Sequence, residues 1–153
     1  MAKAYDISEV LASAVTNFAY LESAVYSYAQ SVFSEETYRY ISRRPISGAL
    51  KVTSSIVRES DNIQNDPILG LIGEVEALLE HRNNILHNPS MVTLHITPGE
   101  ETRQDVRIIS RKNMSPIEGY TLAEINDYAT TANRLSGEIR GAWVNEIAER
   151  ARS

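Results

Sequence analysis

Glu80-His81-Arg82-Asn83-Asn84-Ile85-Leu86-His87-Asn88-Pro89 decides how this chain is read. One Arg, two His and three Asn stand together at what reads as the end of a long amphipathic helix. Upstream, Asp66-Pro67 supplies an N-cap and a proline at the first helical position, where a missing N–H costs nothing. Ile68, Leu71, Ile72, Val75, Leu78, Leu79, Ile85 and Leu86 then recur at the spacing of one helix face. Asn88-Pro89 stops the helix, because the residue before a proline is pushed out of the helical region, and His87 is left in the last turn. Gly70 and Gly73 weaken this helix locally, which points to a second helix passing close by.

The residues before it read as further helices. Asp6 and Glu9 form a capping-box variant, with Tyr5 and Val10 as its hydrophobic staple. One apolar stripe from Ile7 to Phe33 follows, so the first helix covers about residues 7–33. Glu22 interrupts that stripe; it reads as a solvated outer-face residue, with a cleft-facing role as the alternative. Ser34-Glu35-Glu36 starts a short helix to about Ser42, with acidic residues placed well for the helix dipole. Arg43-Arg44-Pro45 breaks it and makes a local basic spot: either a solvated turn or a place to hold a phosphate backbone. A weaker stripe, Ile46, Leu50, Ile56 and Val57, gives a helix over about 46–59. Asp61 to Asn65 is a polar loop.

After Pro89 the period changes to two. Val92, Leu94 and Ile96 alternate with Met91, Thr93, His95 and Thr97, and Val106 and Ile108 with Asp105 and Arg107, with Pro98-Gly99 turn chemistry between them. This predicts one β-hairpin, residues 91–97 with 104–110, inside the span 91–110. Two strands alone are marginal, so they must lie on the helices or pair with another chain. Residues 111–120 form a loop. Thr121 and Glu124 make a second capping box, with Tyr120 and Ile125 as its staple, and a closing helix runs to about Arg150. The expected fold is mainly α: a single domain over 1–153, a bundle of about four principal helices with the hairpin inserted before the last.

Composition excludes several classes. At 153 residues, with 42% hydrophobic and 23% charged side chains, the chain has material for one core. It has no cysteine, hence no disulfide, no thiolate chemistry and no Cys-based zinc site, which fits a cytoplasmic setting. There is no signal-peptide pattern and no membrane-spanning apolar run, so no membrane partner is expected. A net charge of −5 argues against a general nucleic-acid coat and leaves room for RNA in a local basic cleft. His81, His87 and His95 lack a matched carboxylate spacing, and no Gly-rich phosphate loop is present; no metal or cofactor is expected.

Within the opening stretch, Arg82 and His87 are five positions apart. That is an offset of roughly 140° on an ideal helix. A long Arg and a His in a last turn can still converge on one cleft. Asn83, four before His87, shares its face and can orient the imidazole. The chemistry that suits this set is attack on a phosphodiester. His exchanges protons near neutrality, and Arg grips phosphate oxygens as negative charge develops. A helix C-terminus favours cationic side chains, so a His there suits a proton donor or phosphate ligand. The RNA 2′-OH would be the nucleophile, and no metal is required. The same residues also fit a bland arrangement: Arg82 pairing with Glu76 or Glu80 on a solvated face, and His87 capping carbonyls. His81 reads as an exposed neighbour.

Arg82-Asn83-Asn84-Ile85-Leu86-His87 resembles the R-x(4–6)-H motif of the HEPN superfamily, with the polar residue often found after the Arg. The placement at the end of a core helix, before an excursion and a last helix, is similar as well. The resemblance implies a metal-independent endoribonuclease whose Arg and His sets meet in a cleft at a homodimer interface, cutting RNA by 2′-OH attack. It also implies the toxin–antitoxin, antiphage or RNA-processing settings in which an antitoxin or other protein partner is common. Carried over, Arg82 and His87 are catalytic and Asn83 assists; Arg43, Arg44 and Asn84 are the candidate substrate contacts. Asn88-Pro89 departs from one toxin branch, which has a Tyr two positions beyond the His. Some HEPN domains are inactive binding modules. The second reading is therefore a non-catalytic dimer that holds RNA, a nucleotide or a protein, and a third is a helical scaffold.

Overall fold

The computed structural model describes residues 6–60, 65–88, 90–95, 98–101, 103–109 and 119–152. Tyr5 of the first staple, most of the polar loop after residue 60, the helix-stopping Pro89, the hairpin residues Ile96 and Thr97, and 110–118 of the later loop lie outside these. The described residues form a helical bundle of five helices with a small antiparallel sheet before the last: α1 (Ile7–Val32), α2 (Glu35–Ser42), α3 (Ile46–Glu59), α4 (Asn65–His87), β1 (Ser90–His95), β2 (Arg103–Ile108), β3 (Tyr120–Thr121) and α5 (Leu122–Arg150). None of these helices is long and apolar enough to cross a membrane.

Local chemistry accounts for most boundaries. The Asp6 carboxylate accepts from the backbone N–H of Ser8 (2.8 Å) and Glu9 (3.1 Å), capping α1. The Ser34 hydroxyl accepts from Thr37 N–H and starts α2. Thr121 and Glu124 close a reciprocal capping box at α5. At α4 the expectation shifts: the helix begins at Asn65, so Pro67 lies inside the first turn rather than at its first position. The first turn has no intrahelical use for that N–H, and the proline is tolerated there too.

α1 and α5 run side by side in the same direction and carry the core. Ser136 Oγ donates to Tyr20 O, Tyr28 Oη bonds the Glu146 carboxylate at 3.3 Å, and Arg150 Nη1 donates to Val32 O at 3.0 Å. Burial first, then the Glu146 carboxylate, pushes the Tyr28 phenol well above its usual range, so the hydroxyl stays a donor. Most of the apolar stripe read in α1 is buried: Val10, Ala14, Phe18, Leu21, Val25 and Tyr28 meet Ile125, Ala129, Leu135 and Ile139 in one cluster with α4, while Val15 of that stripe is exposed. The close crossing expected at Gly70 and Gly73 does not occur. A Cβ at either would meet nothing within 4 Å, and both face solvent.

The hairpin is present, with Val92 opposite Val106 and Met91 opposite Arg107. A third strand was not anticipated. Tyr120–Thr121 pairs with the other edge of β2, Ile108 opposite Tyr120. Two strands leave open edges and little stability; β3 covers one edge, and buried Ile108 and Ile109 seat the sheet on the helices. Gly119 makes this pairing possible. A Cβ there would lie 2.6 Å from both Ile108 O and Ile109 Cγ2.

Thr53 in α3 is 1% exposed and its hydroxyl has no hydrogen-bond partner. Thr53→Val keeps the shape and removes that orphan group. It is expected to raise stability by about 1 kcal/mol in urea unfolding, and an unchanged or lower midpoint would contradict the orphan assignment.

Candidate functional site

The end of α4 carries the polar residues as an arc around one helix. At ~100° per residue, the order around the axis is Arg82, Asn83, His87, Glu80, Asn84, Asn88, His81, with buried Ile85 closing the circle on the core side. Arg82 therefore leans toward α1 and His81 toward α5, while His87 stands between them, exposed in the last turn.

On the α1 side, Arg82 Nη2 donates to Glu22 at 3.1 Å and Nη1 donates to Asn83 Oδ1 at 3.0 Å. The expected intrahelical pairing with Glu76 or Glu80 gives way to a bond between helices, because Arg82 flanks the buried face and meets α1 rather than open solvent. The same contact settles Glu22. It is not simply a solvated interruption of the stripe; its side chain keeps 33% of its surface exposed and holds Arg82, itself 24% exposed. One helical turn on, Tyr26 Oη donates to the backbone O of Arg44. Burial, then Glu22, then Tyr38 raises the Tyr26 phenol above its ordinary value, so it too remains a donor. A single turn of α1 thus ties Arg82 to the Arg43–Arg44 turn. Arg43 is exposed, and the Arg44 guanidinium lies 3.5 Å over the Tyr40 ring while donating to Tyr40 O.

On the α5 side the surprise is His81. Far from being an exposed neighbour, it is half-buried: its ring stacks on Tyr128 at 4.2 Å and its Nδ1 sits 2.9 Å from Tyr120 Oη. Asn84 Nδ2 donates to the same Tyr120 oxygen at 3.4 Å, and Asn88 Nδ2 donates to Asn84 O at 2.7 Å. A cleft of about 350 Å³ opens here, lined by Asn84, Asn88, Tyr120, Glu124 and Tyr128 over a floor of Ile108 and Ile109. Burial, with Tyr120 and Glu124 adding to it, raises the Tyr128 phenol and keeps it neutral.

No family model, curated protein or solved structure matches this chain.

The candidates divide between two flanks. Arg82, Asn83 and the Arg43–Arg44 turn belong to the α1 flank, Asn84 belongs to the cleft on the α5 flank, and His87 lies between. Sequence reasoning undervalued Glu22 and missed Tyr120, Tyr128 and His81. Glu22 had a visible signal, a charge inside an apolar stripe. The tyrosines had none, since Tyr120 reads equally as a staple and Tyr128 as one more apolar position of the closing helix.

Proposed function

We propose that this chain is a metal-independent endoribonuclease of the HEPN type, acting on RNA as a homodimer. What supports this most is the connected set Glu22–Arg82–Asn83, a guanidinium held from both sides, with an exposed His87 five residues on in the last turn of the same helix. Arg82 grips the scissile phosphate and stabilises the charge gathering on its oxygens. The RNA 2′-oxygen attacks phosphorus and the bond to the 5′-oxygen breaks, leaving a 2′,3′-cyclic phosphate and a 5′-OH. One proton must leave the 2′-OH and one must reach the 5′-oxygen. One His cannot serve as base and acid in the same step, so a second copy supplies its own His87. The exposed Arg43 extends the positive surface along the strand. Purified protein is expected to cut single-stranded RNA in EDTA, with cyclic-phosphate ends seen by mass spectrometry. Intact RNA after prolonged incubation of the dimer would overturn the reading.

Glu22 is a positioning residue in this scheme, acting through Arg82. Glu22→Ala is expected to lower kcat about tenfold with little change in KM, while the lost, partly exposed ion pair costs no more than ~1 kcal/mol of stability. A drop confined to stability would reduce Glu22 to a structural contact.

One observation favours the second reading, a dimeric module that binds RNA, a nucleotide or a protein without turnover: Glu22 already neutralises much of the Arg82 charge. Saturable RNA binding by uncleaving wild-type protein is its signature.

A further inference from the structure

We propose that the cleft between the end of α4 and the start of α5 is a nucleobase subsite, taking a neutral, flat nitrogen heterocycle from the RNA strand handled at Arg82 and His87. This rests on the ribonuclease reading for the identity of the strand, and the cleft itself is argued from its own chemistry.

Size comes first. At about 350 Å³ the cleft falls at the low end of small-molecule sites, which span ~300–1,000 Å³, and suits one ring system with part of its sugar. Its walls come next. The Tyr120 and Tyr128 rings line the cleft, Tyr128 with one face stacked on His81, and buried Ile108 and Ile109 lie at its floor. The primary amides of Asn84 and Asn88 carry donor and acceptor groups of the kind that match the edge of a base; Asn88 Nδ2 is held by Asn84 O at 2.7 Å, which leaves the Asn84 amide as the one to meet a ligand. The Asn84 bond to Tyr120, at 3.4 Å, is long enough to be exchanged for a ligand at little cost. Charge then separates base from phosphate. Among the described residues lining the cleft the charged one is Glu124, and no Lys or Arg is among them. A carboxylate repels phosphate and accepts from ring or amino N–H groups, so an anion is disfavoured where a base is not.

Position connects the cleft to the chemistry. Around α4, His87 stands about 60° from Asn84, on the side of Asn84 that leads round to Asn83 and Arg82. Single-stranded RNA is commonly read this way, with unstacked bases lodged against aromatic side chains while phosphates meet cations. A base seated here would place its neighbouring phosphate over His87, which gives the cutting reaction a preference at one nucleotide.

The test uses the full chain and phosphate-free guanosine, adenosine, cytidine and uridine, titrated separately and followed by two-dimensional amide NMR. At least one nucleoside is expected to give saturable shifts at Asn84, Asn88, Tyr120 and Tyr128, undisturbed by inorganic phosphate. Asn84→Ala should weaken that binding roughly tenfold; should it fail to fold, the isosteric Asn84→Asp makes the same measurement. No saturable shift, shifts confined elsewhere, or equal affinity in a folded Asn84 variant would overturn the proposal. Binding without RNA cleavage would leave the cleft standing and remove the ribonuclease reading, and cleavage without nucleoside binding would do the reverse.

Discussion

His87→Ala is expected to slow RNA cleavage by about 10²–10⁴-fold, the range for removing a general acid or base, with the fold unchanged. The exposure of His87 in the last turn of α4 makes the second half of that expectation firm, since alanine there removes no buried contact and is a good helix former. Arg82→Ala should cost a comparable amount, about 10²–10³-fold, for loss of a charge-stabilising donor. It should also leave Glu22 without its partner, so its thermal midpoint should fall where that of His87→Ala does not. Comparing the two variants by melting and by cleavage separates chemistry from structure. Cleavage that persists at the wild-type rate in His87→Ala would remove the proposed mechanism.

The second large effect concerns the frame that holds the site. Leu135 lies in α5 between Arg134, which pairs with Glu74 of α4, and Ser136, which bonds Tyr20 of α1. It is 0% exposed, in the cluster that joins the three helices. Leu135→Ala removes its branched side chain at a point where two helices are pinned on either side and cannot readily close the gap. The expected loss is about 3–5 kcal/mol, read as a fall in the urea midpoint at unchanged slope. A domain of this size holds only ~5–15 kcal/mol in total, so the variant should lose a large share of its stability. A loss below about 1 kcal/mol would mean that α5 repacks freely. The site would then lack the rigid support that its use of α1, α4 and α5 demands.

Local and tertiary effects can be told apart residue by residue. The spans of α2, α3 and α5, and the end of α4, are legible because capping groups, proline and an apolar period act within a few residues of themselves. The hairpin is legible for the same reason, its alternation and turn chemistry being local. β3 is not: two residues carry no period, and Tyr120 joins the sheet because β2 offers an edge and Gly119 lets the backbones approach. The Gly70 and Gly73 expectation fails for the complementary reason. A glycine in a helix admits a close neighbour without requiring one, and here solvent takes that place.

For the site, the linear order identified the polar stretch from Glu80 to Asn88 and the helix that delivers it, and it limited the chemistry to Arg, His and amide groups with no thiol among them. It left Arg82 and His81 as two neighbours on a helix face. Packing gave them opposite surroundings. Adjacent helical residues point about 100° apart, so with Ile85 buried between their directions, Arg82 meets Glu22 on α1 and His81 meets Tyr120 and Tyr128 beside α5. Periodicity states which side of a helix is buried; which helix covers each flank depends on how the whole bundle closes, and that choice decided the partners of Arg82, Glu22, His81 and Tyr128.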